Sequence, residues 1–254
     1  MNITVCVKHI PDPNLPGEMD GYRLKREGAE GVLDPGDEFG IEAGLRLKEE
    51  LGGEVTLVSM GPAQAQEALR RGLSMGADKA VLVSDDSLRG ADALVTARVL
   101  ATVIGRDAFD LVIAGVESTD GYTGTMPATM AELLNVPQLT FTTSIEVSDD
   151  GLKVRRQSAG GYQVVECPFP CVMTVTAGVN EPRYASFKGI MAAKKKPFEQ
   201  LSVSDLGIEP DALKPGQEVV EVSLAEQRKA GEVLPDDGKG AVRIADFLKE
   251  AKVI

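Results

Sequence analysis

Tryptophan is missing from this chain, and histidine occurs once, at His9. A single imidazole excludes a histidine-rich metal site and a His-based catalytic triad. Three cysteines, an odd number, do not make a disulfide framework. Cys167 and Cys171 bracket a Pro-Phe-Pro run, offer too few ligands for a structural zinc, and read as buried thiols of a cytosolic (cytoplasmic) protein. Aromatics are only 4% of residues, so aliphatic side chains and Ala must fill the core. No apolar run reaches the length of a membrane span, which argues against membrane insertion. A strand begins within three residues of the start and leaves no room for a signal peptide. Positive charge is scarce as well: the net charge of -12 argues against nucleic-acid binding.

What is present is an α/β pattern. The 254 residues, 43% hydrophobic, suit one large domain, or one domain with an extended arm. Continuous apolar runs at 3–7, 54–60, 80–83 and 111–115 read as buried strands. Helices are expected between them, at about 37–51, 62–75, 91–104 and 124–134. Strands alternating with helices imply a parallel sheet with helices on both faces. Pro11, Pro13 and Pro16 force an extended excursion after the first strand. Residues 152–156 and 162–165 flank a Ser-Ala-Gly-Gly turn and read as a β-hairpin. Residues 172–175 return to strand character. The α/β domain is assigned to 1–200 and an arm to 201–254. Pro210, Pro215 and Pro235 interrupt the arm, and an edge strand is expected at 218–222. Its final helix, about 239–252, has an apolar row that needs another surface.

Ligands of parallel sheets bind outside the carboxyl ends of the strands, at the switch point. Three segments are expected there: residues 6–8, 34–37 and 115–125. In the last, Gly121 and Gly124 admit close backbone approach. Thr123 is placed to cap the following helix, whose N–H groups suit a phosphate. Asp120 is a candidate for a ribose hydroxyl. The same residues also suit an ordinary strand–helix connection. Asp34 and Asp37 read as capping carboxylates, and Lys8 as a solvated lysine.

Residues 180–197 stand out, because Glu181 is their one acid against Arg183, Lys188, Lys194, Lys195 and Lys196. A mixture of cations with exposed apolar groups suits a protein partner, and a solvated helix end equally.

The run from Asn180 to Tyr184 and the run from Ile190 to Lys196 resemble the signature of electron-transfer flavoprotein β subunits. The match is to the bacterial, actinobacterial-like form. The resemblance extends to the opening strand, to Leu73–Ala80 and to the loop after Gly115, and so covers the whole chain. It implies an adenine-nucleotide-hydrolase-like fold and a heterodimer with an α subunit that carries most of the FAD. It implies AMP on this chain, at Cys6, Asp34, Pro35, Gly36, Asp37 and Met60. The same carry-over includes Thr119, Asp120, Gly121, Tyr122, Thr123, Gly124, Thr125 and Met126. A second FAD replaces the AMP in relatives that bifurcate electrons from NADH. The basic segment becomes a recognition loop for acyl-CoA and related dehydrogenases, with Phe187 as its apolar anchor. Arg183, Tyr184, Lys188, Ile190, Met191, Lys194 and Lys195 accompany Phe187. A quinone-linked oxidoreductase is the implied acceptor, and fatty-acid oxidation the implied setting. The chain departs from the family at Gln157, where a carboxylate is usual, and at Pro13, where an aromatic is sometimes found. A stand-alone nucleotide sensor of the universal-stress type shares the α/β topology but typically lacks the arm and the basic segment.

Overall fold

A computed structural model describes residues 1–223, 231, 233 and 237–254. Pro235 lies outside the described residues. Two compact units are present, Met1–Val219 and Val220–Ile254.

The first unit opens with β1 (Asn2–Cys6), β2 (His9–Pro11), β3 (Met19–Asp20), β4 (Arg23–Leu24) and β5 (Gly31–Leu33). Then come α1 (Pro35–Leu51), β6 (Glu54–Met60), α2 (Gln66–Met75), β7 (Lys79–Val83), α3 (Ala93–Ile104) and β8 (Leu111–Gly115). After α4 (Met126–Leu134) follow β9 (Gln138–Val147), β10 (Gly151–Ser158), β11 (Gly161–Pro168) and β12 (Cys171–Val175). The unit closes with α5 (Phe187–Ala193), β13 (Phe198–Leu201) and α6 (Val203–Leu206), so residues 201–219, read from sequence as the start of an arm, belong to it.

Nine strands form one sheet, ordered β11-β10-β9-β12-β8-β1-β6-β7-β13. From β9 to β13 every neighbouring pair is parallel. Alternation along β1 and β8 explains why both faces must be covered. Ile3, Val5, Leu111 and Ile113 join the apolar cluster beneath α1 and α2. Cys6, Val112 and Ala114 join the opposite cluster with α3 and α4. Burying each such side chain is worth about 1.5–3 kcal/mol against leaving it in water. The chain adds β6 and β7 on one side of β1, then crosses to place β8 on the other. That reversal at β1 makes the switch point.

The hairpin forms as expected, with Ser158 opposite Gly161, and β9 extends it on the antiparallel side of β10. No strand forms at 218–222. Residues 218–222 are exposed and unpaired with the sheet, whose edge beside β7 is formed by β13. The second unit contains α7 (Gly240–Glu250) within the expected helix. Among the described residues, no helix is long and apolar enough to cross a membrane.

Candidate functional site

The carboxyl end of β1 is held by backbone and carboxylate together. Val7 donates to the Val58 carbonyl at 2.9 Å, and Asp34 N donates to the Lys8 carbonyl at 2.9 Å. Lys8 N donates to Asp37 Oδ2 at 2.7 Å. Asp34 begins α1 as its N-cap, and Pro35 suits the first helical position because its missing N–H would have had no partner there. The Asp34 Oδ1 accepts from Gly36 N at 2.9 Å and from Thr119 Oγ1 at 2.7 Å. Its Oδ2 accepts from Thr119 N at 2.7 Å. One wholly buried carboxylate thus ties the start of α1 to the loop after β8. All three expected segments meet at one point.

Burial pushes the Asp37 carboxyl well above the usual range, and the charge of Asp34 adds to the rise against N–H donors from Lys8 and Gly115. Burial, reinforced by Asp37, pushes the Cys6 thiol up to about 12. Cys6 is therefore a packing group rather than a nucleophile. Among the described residues no cluster of His, Cys, Asp and Glu suits a metal ion.

Asp120 is committed differently from the expectation. Its side chain is 2% exposed. Lys8 Nζ donates to its Oδ1 at 2.7 Å and to Ser118 Oγ at 3.2 Å. Arg26 pairs with Oδ2. Burial raises the Asp120 carboxyl, but Lys8 and Arg26 outweigh burial and hold it below the usual range. Both oxygens are paired with cations, so Asp120 ties Lys8 and Arg26 to the loop after β8. Neither Lys8 nor Arg26 was legible as a site residue: one looked solvated, and the other lies in a segment without periodicity.

The remaining loop residues, Gly121 to Thr125, are exposed, with Tyr122 turned outward in the left-handed region at φ 48. The helix cap is Thr125, not Thr123, and no side chain caps the first turn of α4. Met126 opens that helix, and Met60 ends β6 half-buried on the same edge.

A second cluster lies at residues 180–197. Arg183 donates from Nε to Glu42 Oε2 at 2.7 Å and from Nη1 to Glu49 Oε1 at 2.6 Å. Hydrogen bonds to Glu49 and Glu42 push its guanidinium still higher. Glu42, 3% exposed, also accepts from Arg46 Nε at 2.7 Å. Lys196 Nζ donates to the carbonyls of Leu73 at 2.9 Å and Ala77 at 2.5 Å, at the end of α2. Arg70 caps the far end of α5 through the Ala193 carbonyl at 2.7 Å, and Ser186 caps its start through Gly189 N at 3.0 Å. Two of the segment's cations are therefore anchors. Lys188, Lys194 and Lys195 remain exposed. So do Tyr184 at 91%, Phe187 at 80%, and Ile190 and Met191.

Residues 22–206 match the family model described as an electron transfer flavoprotein domain. Over 264 aligned residues the chain is 39% identical to the electron transfer flavoprotein subunit beta of Mycobacterium leprae (strain TN), covering 100% of this chain and 99% of that protein. The chain belongs to the electron transfer flavoprotein beta-subunit family. A Bacillus subtilis (strain 168) relative of the same name is 34% identical, with 100% of both chains covered. A relative from Acetobacterium woodii is named caffeyl-CoA reductase-Etf complex subunit CarD. It is 39% identical over 215 residues, covering 84% of this chain and 82% of that protein. Within this electron transfer flavoprotein subunit, the carboxyl-edge cradle and the exposed 184–191 face are separate surfaces joined through α1.

Proposed function

We propose that this chain serves a heterodimeric electron carrier, pairing with an α subunit that holds most of the FAD. The carrier takes electrons from acyl-CoA or related dehydrogenases and passes them to a quinone-linked oxidoreductase. The observation that carries this reading is the joining of residues 6–8, 34–37 and 115–125 by Asp34 and Asp37, in a chain similar along its whole length to subunits named for electron transfer. The residues fit an adenine nucleotide such as AMP. A Cβ at Gly121 would stand 3.2 Å from Ser118 Oγ, so glycine lets the loop fold tightly against Ser118, and residues 121–125 stay exposed at the edge of the site. The first turn of α4 has no side-chain cap, which suits an anionic group. Cys6, Asp34 to Asp37, Met60 and Thr119 to Met126 would hold the nucleotide. Bound FAD supplies the one- and two-electron chemistry. This chain's own part is to bind, orient and dock. Phe187 is the apolar plug, and Lys188, Lys194 and Lys195 steer acidic partners in a salt-sensitive way.

Co-expression with the α subunit and a count of cofactors tests the reading. One FAD and one AMP per heterodimer is the expected result. Two FAD would favour a second reading, a bifurcating complex with FAD in the AMP place. A colourless homodimer would sink the carrier and return the stress-type sensor.

A further inference from the structure

Residues 12–30 leave the fold after β2 and return at β5, as the prolines demand. The neck is closed by the β2–β5 pair and by Asp12 N donating to the Glu30 carbonyl at 2.9 Å. Beyond it none of these residues is buried, so apolar packing does not hold the excursion down. Two arginines do. Arg26 pairs with Asp120 in the loop after β8. The Arg23 guanidinium lies against Gly90, in the connection after β7, where an added Cβ would fall 2.2 Å from Nη1. In the sheet, β8 and β7 flank β1 and β6. The excursion therefore crosses the carboxyl ends of β1 and β6, where Cys6 and Met60 lie.

We propose that residues 12–30 are a strap across the mouth of the carboxyl-edge site, latched by Arg26 on Asp120, and that the latch sets how fast a bound adenine nucleotide leaves. The proposal rests on the nucleotide reading above. Asp120 is a fixed post, because it is buried and also held by Lys8. An ion pair on a buried carboxylate is screened less than a surface pair. A segment with no buried side chain opens at low cost once that pair is lost.

The test uses the heterodimer with the α subunit, loaded with radiolabelled AMP and chased with unlabelled AMP. Arg26→Gln and Arg26→Ala, which remove the pair with Asp120, should each speed release about tenfold, since changes at one interface appear mostly in the off-rate. Lys25→Ala is the control, because Lys25 pairs with Glu18 inside the strap at 2.7 Å and should leave release within about twofold of wild type. If the wild type retains AMP and both variants release it at the wild-type rate, the strap is overturned and the nucleotide reading stands. If the wild type retains no labelled AMP, both fall.

Discussion

At the carboxyl edge of the sheet, Asp34 and Asp37 are buried and give their oxygens to N–H and hydroxyl groups of neighbouring segments. Beside residues 180–197, Glu42 gives its oxygens to Arg183 and Arg46 and Glu49 gives its own to Arg183, while Phe187 and Tyr184 stand in water. In the first region, charge is used inside the fold to gather three segments into a cradle. In the second, charge fastens a loop so that apolar side chains stay outside. The exposed Phe187 is thus held in place by anchors elsewhere in the segment, and its exposure is part of the architecture.

The largest effect should come from Glu42→Ala, which leaves Arg183 and Arg46 without their shared carboxylate. A loss of about 2–3 kcal/mol is expected in urea unfolding, the worth of charge-assisted hydrogen bonds to a buried carboxylate, since Arg183 keeps Glu49 and both arginines keep contact with water. A loss under about 1 kcal/mol would mean that the clamp is a surface pair, and the contrast would collapse. Gly189→Ala should come next, at about 2 kcal/mol, because its Cβ would sit 2.3 Å from the Ser74 carbonyl oxygen and force α5 off α2. Asp37→Asn should change how stability depends on pH. The folded-state pKa of Asp37 is raised. Its contribution to stability is therefore present below the unfolded carboxyl range, near pH 4, and is lost as pH rises through the folded value. The neutral amide does not titrate, so the variant's stability relative to wild type should rise from pH 4 to pH 7.5; a constant difference across this window would contradict the shift. Phe187→Ala should move stability by less than about 0.5 kcal/mol, since the side chain is 80% exposed. It should still slow reduction by a partner dehydrogenase at low carrier concentration. An unchanged rate would remove the anchor role.

The central strands were readable because parallel strands buried on both faces carry unbroken apolar runs, as Leu111–Gly115 does. β9 was not, since its burial is mixed and Phe141 sits at φ 55 beside a register shift. β13 gave no signal, because Phe198-Glu199-Gln200-Leu201 is a short edge strand with a polar centre. At the site, Asp34 and Asp37 announced themselves as capping residues around Pro35. Lys8 and Arg26 could be placed only once the loop after β8 was seen to bring Asp120 to them, a pairing across 112 residues in the case of Lys8. Local pattern does not encode a contact of that range.

Helix α1 carries Asp37 in its first turn and Glu42, Arg46 and Glu49 farther along. It therefore acts as a gauge rod: with 1.5 Å of rise per residue, about 18 Å of helix separates the carboxylate at the cradle from the last glutamate that grips Arg183. One extra residue between Asp37 and Glu42 would turn both glutamates by about 100° around the axis. The cradle would keep its shape, and Arg183 would reach for a carboxylate facing another way.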